Sequence, residues 1–192
     1  DTFSFDCTNL FNPVTVTLTI TDSNNNTSSN TAQVTVLDTV RPQAIKQDIT
    51  VQLDSFGTAT ITADSIDNGS TDNCAVDSID LSQYTFTCSD VGPVQVLLRA
   101  FDASGNRDSV FATVTVEDNI APHVLTQDTF VYLDTLGQVS ITPAHVDSGS
   151  WDACGIETYA LDTFNFDCNN LFSPVTVTLT ITDSNNNTSS NT

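Results

Sequence analysis

Along this chain apolar and hydroxyl-bearing residues alternate in short bursts. Residues 14–21 read VTVTLTIT, a period of two that puts Val, Leu and Ile on one face and threonine on the other. That is the pattern of a half-buried strand. It recurs at 94–101 and 175–182, and shorter runs stand at 49–53, 58–63, 75–81 and 85–88, with partners 80 residues on. Turn residues separate them: Asp54-Ser-Phe-Gly57, Asp134-Thr-Leu-Gly137 and Asp102-Ala-Ser-Gly-Asn106. Strands this short, with no helical stretch between them, predict an all-β fold of β-sandwiches. Six strands per unit are clear. A linear array needs an odd number, so that the chain leaves each unit at the end opposite its entry. A seventh strand is therefore expected within 41–48 or 62–68.

The pattern repeats at two scales. Residues 1–31 and 162–192 differ at only three of 31 positions (Ser4/Asn165, Thr8/Asn169 and Asn12/Ser173). Residues 38–88 match 118–168 without gaps, with 18 identities in 51 positions. The unit is thus about 80 residues, and two unlike units make the longer repeat. The register divides the chain into residues 1–38, the C-terminal half of one repeat; 39–118, a complete repeat; and 119–192, a repeat lacking its last strand. The closing strands 32–37 (AQVTVL) and 112–117 (ATVTVE) have no counterpart after Thr192. A window that starts and ends inside repeats is most simply a piece of a longer array. The competing reading is strand donation, in which neighbouring chains complete each other's sheets.

Charge changes the picture. The chain carries 24 acidic and 4 basic side chains, a formal net charge of −20. All the acids but Glu117 and Glu157 are aspartates. This excludes nucleic-acid binding, which needs clustered Lys and Arg, and argues against docking on anionic lipid. The longest apolar runs are a few residues, too short for a membrane-spanning helix, so no membrane insertion is expected in this segment.

The five cysteines follow the repeat. Cys74 and Cys88 are 14 apart, as are Cys154 and Cys168, which suggests one disulfide within each unit. Cys7 aligns with Cys88 and would then pair upstream of residue 1. Zinc is the competing use, but two cysteines per unit without paired histidines fall short of four ligands. Disulfides imply an oxidising, extracellular compartment.

The aspartates cluster at three places in each unit. Junctions hold Asp38-Thr-Val-Arg-Pro42 and Asp118-Asn119-Ile-Ala-Pro122. The loops before the first cysteine hold Asp67 and Asp72, and then Asp147 and Asp152. The last hairpin turns begin at Asp22, Asp102 and Asp183, with Asn106 closing the middle one. Calcium takes six to eight oxygens from such loops. One ion is expected to gather Asp38, Asp72 and Asp102, and a second Asp118, Asp152 and Asp183; Asp67, Asn106, Asn119 and Asp147 complete the candidate ligands. The simpler reading is ordinary turn chemistry, because Asp, Asn and Gly also build hairpin turns without metal.

Asp-Ser/Thr-aliphatic triplets place Thr39, Ser65, Ser78, Ser109 and Thr135 in a pattern that resembles the O-glycosylation signal of exported Bacteroidota proteins. Asn26 and Asn68 head N-x-S/T sequons. No catalytic constellation is visible: there is no G-x-S-x-G, no H-E-x-x-H and no phosphate-cradling glycine loop, and a non-enzymatic role is expected. His145 and Trp151 could line a small carbohydrate patch, or simply pack on a sandwich edge.

Residues 72–122, with their D-N-C, L-x-x-x-x-F-x-C, D-A-S-G-N and D-N-x-A-P elements, resemble the HYR-like, immunoglobulin-fold repeats of very large Bacteroidota surface proteins, the SprB-like gliding adhesins among them. The linker at 118–122 is also similar to the calcium-binding linkers of cadherins. Arg41, where the other junction has Ala121, and Ala153, where Asn73 stands in D-N-C, depart from the pattern. The resemblance implies tandem immunoglobulin-like sandwiches in a linear array, export by the type IX route, a bacterial cell-surface location, and a stalk acting in adhesion, filament formation or gliding. Its partners would be neighbouring repeats of the same chain, other copies in a filament, and a surface or glycan ligand at a distal tip. The alternatives are carbohydrate-binding modules and spacers of a secreted multidomain enzyme.

Overall fold

The computed structural model describes residues 3–192; Asp1 and Thr2, at the start of the partial repeat 1–38, lie outside them. The regular structure among the described residues is nearly all strand: β1 (Val14–Thr21), β2 (Thr27–Val34), β3 (Ile49–Gln52), β4 (Thr58–Thr60), β5 (Val76–Leu81), β6 (Thr85–Thr87), β7 (Gly92–Asp102), β8 (Arg107–Glu117), β9 (Gln138–Ser140), β10 (Ile156–Leu161), β11 (Asn165–Asp167), β12 (Leu179–Asp183) and β13 (Thr188–Asn191). The fold is all-β. Backbone proximity groups the described residues up to 47, with 62–82 and 95–112, into one compact unit, and 48–61, 83–94 and 113–192 into a second. The complete sequence repeat 39–118 contributes to both.

In the first unit β1 and β2 form an antiparallel hairpin, Val14 opposite Val34 through Thr21 opposite Thr27. Its turn is tied by Asp22, whose carboxylate accepts from the amides of Asn24 and Asn26 at 2.8 Å each. In the same unit β5 runs antiparallel to the end of β7, Leu81 opposite Leu98 through Val76 opposite Asp102, with a bulge between Val76 and Ser78. Alternation along β7 buries Val96, Leu98 and Ala100.

In the second unit β3 pairs in parallel with the end of β8, Ile49 opposite Val114 through Gln52 opposite Glu117. β4 pairs antiparallel with β6. The rest of this unit is a small sandwich. β10, β12 and β13 make one antiparallel layer, and β9 with β11 the other. Leu179 and Ile181 of β12 and Ile141 and Val146 form the core, packed on by Ile156, Leu161 and Phe166.

Several expectations need correction. The segments 62–68 and 142–147 are single helical turns, α1 (Ala63–Ile66) and α2 (Pro143–Val146). The Ser65 hydroxyl accepts from the Thr62 amide at 3.2 Å and caps the turn, a signal too short to show as helical periodicity. The segment 41–48 is no continuous strand either; it touches the fold through isolated bridges, Gln43 to Thr71 and Lys46 to Asp67. The strand expected at 129–133 is absent, and Phe130 and Tyr132 stand exposed. Its counterpart β3 pairs in parallel with the end of β8, Ile49 opposite Val114 through Gln52 opposite Glu117.

The disulfides also differ from the expected pairing. Cys74 does not bond Cys88, nor Cys154 Cys168. Instead Cys7 bonds Cys74 and Cys88 bonds Cys154, with Cα atoms 5.4 and 5.1 Å apart and sequence separations of 67 and 66. Cys168 is free and exposed. Each bridge joins the second cysteine of one sequence repeat to the first cysteine of the next. The 14-residue spacing measures chain distance only; what decides the bond is which Cβ atoms meet. The backbone carbonyls of Asn73 and Ala153, each one residue before a bonded cysteine, lie against the partner's sulfur, at 3.6 Å from Cys7 Sγ and 3.4 Å from Cys88 Sγ. Gly57, at φ +72°, lies so near Cys88 Sγ that a Cβ there would stand 2.5 Å from it, so both backbone conformation and space demand glycine.

One sequence occurs in two environments. VTVTLTIT is β1 in the first repeat and leads into β12 in the third. Leu179 and Ile181 are 0% exposed, whereas Leu18 and Ile20 are 68% and 65% exposed. The pattern specifies which face is apolar, and the segment packed against that face decides whether it is buried.

Candidate metal centres at the strand ends

Period-two alternation carries straight into the acids. On β7 the inward row is Val96, Leu98, Ala100 and then Asp102; on β8 it is Ala112, Val114, Val116 and then Asp118; on β12 it is Leu179, Ile181 and then Asp183. Each row ends in a carboxylate on the side of the core. Asp183 is 0% exposed and Asp118 is 6% exposed. A buried carboxylate without compensation is costly, so what surrounds these groups decides their chemistry.

Asp38, Asp72 and Asp102 each bring a carboxylate oxygen within 4.8 Å of the others, and so do Asp118, Asp152 and Asp183. Each trio joins an inter-repeat linker, the loop before a bonded cysteine and a hairpin turn. The hairpin acid is tied down by an asparagine four residues on. Asn106 Nδ2 donates to Asp102 Oδ2 at 2.7 Å and to the Asp38 carbonyl at 3.1 Å. Asn187 does the same to Asp183 at 2.8 Å and to the Asp118 carbonyl at 3.0 Å. The loop acid accepts from the amide of the following half-cystine: Asp72 Oδ2 from Cys74 at 2.9 Å, and Asp152 Oδ1 from Cys154 at 2.8 Å. The linker acid uses one oxygen to turn the chain, Asp38 toward Val40 at 3.0 Å and Asp118 toward Ile120 at 3.1 Å. Its other oxygen, Oδ2, is buried without a hydrogen-bond partner in both trios.

The electrostatics follow from this arrangement. Burial pushes the Asp118 carboxyl above its ordinary value; the Ile120 amide works against the shift, and the nearby charges of Asp152 and Asp183 add to it. At Asp102 burial also works against the charge, but the side chain and amide of Asn106 outweigh it and the carboxyl is held low. Three oxygen donors, one of them a buried and unpartnered carboxylate oxygen, suit a hard divalent cation and hold no nitrogen or sulfur ligand for a softer one. The donor set fits calcium, with Asp118, Asp152 and Asp183 as ligands at one centre and Asp38, Asp72 and Asp102 at the other.

Three of the expected ligands stand elsewhere. Asp67 accepts from the amides of Gly69 and Ser70 within its own loop, and Asp147 accepts from Ser150 at 3.0 Å. Asn119 donates to Gln52 Oε1 at 2.5 Å. Asn106 orients the first trio through its donor nitrogen. Asp102 and Asp183 continue the apolar row of a strand, but so does Asp22, which is exposed; phase marks the candidates, and the packing around each strand decides which is buried. Sequence reasoning placed Asp102 and Asp183 in hairpin turns and missed their burial.

The remaining candidates are scattered. Thr39, Ser78, Ser109 and Thr135 are exposed, whereas Ser65 is half-buried with its hydroxyl engaged at Thr62. His145 Nδ1 lies 3.1 Å from the Thr142 amide, at the start of α2. The ring beside Trp151 is that of His123, stacked at 5.8 Å between centroids.

No protein-family model matches the chain, and no curated protein matches it. Among solved structures it is similar to a protocadherin gammaB7 EC3–6 cis-dimer structure, at 17% identity over 92% of this chain, with a TM-score of 0.35. The chain spans about half of that one (55%). A likeness at this level is too slight to carry an argument about fold or function.

Proposed function

We propose that this chain is a structural stretch of tandem repeats from a large secreted bacterial cell-surface adhesin or filament, stiffened at its junctions by disulfides and by calcium. In this reading it acts mechanically and has no catalytic role. It holds a distal binding region away from the cell and transmits force along the chain, in adhesion or gliding. The observation that carries the reading is the doubled junction motif: a three-carboxylate knot with a buried, unpartnered oxygen, next to a disulfide that joins successive repeats. In an array whose units touch only their neighbours, stiffness depends on such joints. The disulfides fit an oxidising, extracellular compartment. The resemblance of residues 72–122 to giant Bacteroidota surface repeats supplies the bacterial surface, the type IX route and the gliding context.

The test is thermal melting and solution scattering of the protein in EDTA and in about 1 mM Ca²⁺, a level above the sub-millimolar affinities of extracellular calcium modules. Calcium should raise the melting temperature and extend the scattering profile of the wild type. The gain should be smaller in Asp183→Asn and Asp102→Asn, and largely lost when both are changed. Identical melting curves and identical profiles with and without calcium would discard the cation-stiffened junction.

A further inference from the structure

The chain has only four basic side chains, Arg41, Lys46, Arg99 and Arg107. Three of them line one cavity of about 630 Å³, together with Leu97, Asn106, Asp108 and Ser109. Arg99 Nε donates to Asp80 Oδ1 at 2.8 Å. Among the described residues the guanidinium groups of Arg41 and Arg107 form no hydrogen bond or ion pair, and both residues are exposed. With 24 acids in the chain, two unpaired guanidinium groups are unexpected. A mere need for charge neutralisation would have set them against carboxylates, of which there are six for every base. The one acid in the wall, Asp108, is turned to the backbone and accepts from the Ala44 amide at 3.0 Å.

The arginines also belong to one repeat type. Arg41 corresponds to Ala121 in the third repeat, Arg99 to Thr180 and Arg107 to Thr188; in the first repeat the last two are Thr19 and Thr27. These strands keep their fold with threonine at those positions, so the architecture does not require arginine. The cation centres, by contrast, stand in both repeat types.

We propose that this cavity is a binding site for an oxyanion, the carboxylate or sulfate of a small ligand such as an acidic sugar. Arg41 and Arg107 are the principal donors and Arg99 is held in place by Asp80. A guanidinium presents planar, paired N–H donors that match a carboxylate or sulfate in two parallel hydrogen bonds. The volume lies within the range of small-ligand clefts. Asn106 and Ser109 offer neutral partners for hydroxyl groups, and Leu97 a patch for the carbon face of a ring. The excess of negative charge elsewhere sets the selectivity: an anion is repelled from the rest of the surface and gains only where the guanidinium groups converge.

The test titrates the calcium-loaded protein with sodium sulfate, sodium glucuronate and glucose at constant ionic strength, observing arginine side-chain N–H resonances. Sulfate and glucuronate should each shift the Arg41 and Arg107 signals with a saturating curve, and glucose should not. Glucuronate tighter than sulfate identifies a sugar acid as the ligand source; equal affinities identify a free inorganic anion. Arg41→Gln and Arg107→Gln, both at exposed positions, should each weaken binding about tenfold, the loss expected from one charge-assisted hydrogen bond. Unchanged melting temperatures would show that the variants are folded. Absence of saturable shifts with either anion, or affinity unaltered in both variants, would overturn the proposal.

Discussion

Leu18 and Leu179 occupy the same place in the same octapeptide, yet one is 68% exposed and the other 0%. Truncating each to alanine separates what sequence contributes from what packing contributes. Leu179 sits among Ile141, Val146 and Ile181 in the core of the small sandwich. Removal of its side chain forfeits the transfer free energy of the buried methyl groups and leaves a void, together about 3–4 kcal/mol. Leu18 loses little, within about 0.5 kcal/mol, as surface substitutions do. Helix and strand propensities cancel in the comparison, because the flanking residues are identical. Urea unfolding followed by fluorescence of Trp151, which lies in the same unit as Leu179, reads the first effect; far-UV circular dichroism reads both. At a slope of about 1–3 kcal/mol per molar urea, Leu179→Ala should lower its midpoint by more than 1 M, and Leu18→Ala should leave the dichroism curve in place. Runs at two protein concentrations tenfold apart keep self-association in view. Equal losses in the two variants would refute the reasoning, since the apolar face of β1 would then be covered in solution.

Two further outcomes follow from the bonds seen. Under native, non-reducing conditions one thiol, that of Cys168, should react with iodoacetamide, and peptide mapping should recover Cys7–Cys74 and Cys88–Cys154; each closes a loop worth about 4 kcal/mol in the chain-entropy model, so reduction should depress melting sharply. The carboxyl of Asp162 is held below its ordinary value first by the Thr178 hydroxyl and then by the Thr178 amide. A depressed acid contributes stability that is present above its unfolded value, near 4, and is lost as pH falls through the folded value. Thr178→Val should raise the Asp162 midpoint in an NMR titration and reduce acid stability, whereas an unmoved midpoint would assign the shift to the backbone alone.

The strands and the acid trios were legible in the sequence because both follow from local chemistry: alternation fixes the buried face, and Asp with Asn closes the turns. What was not legible depended on partners far along the chain. The pairing of Cys7 with Cys74 is decided by which loop lies beside which turn. β3 is ordered as a strand by the end of β8, about 65 residues further along the chain. Asp67 and Asp72 look alike in composition, but Asp67 serves its own loop while Asp72 faces Asp38 and Asp102. Distance along the sequence ranks none of these.

All six acids of the two knots are aspartates, and the geometry of the knots gives a reason. Two like charges about 5 Å apart repel by about 3 kcal/mol at an effective dielectric of 20. Without a cation the knot therefore resists closure; at Asp118 burial is the main cause that raises the carboxyl, and the charges of Asp152 and Asp183 add to it. Aspartate holds its carboxylate one carbon closer to the backbone, where a single amide or the Asn187 side chain can fix it. Fixed carboxylates cannot swing away to relieve the repulsion, and in the proposed reading a bound cation would supply the missing compensation. At a calcium concentration 100 times the dissociation constant, binding would stabilise the closed knot by about 2.7 kcal/mol. Asn187 is the residue that makes the difference measurable: it holds Asp183 and the Asp118 carbonyl together whether or not a cation is present. Asn187→Ala should lower the calcium affinity of that centre while leaving all three carboxylates in place. If affinity were unchanged, the carboxylates alone would set the site and the clamp would have no part in it.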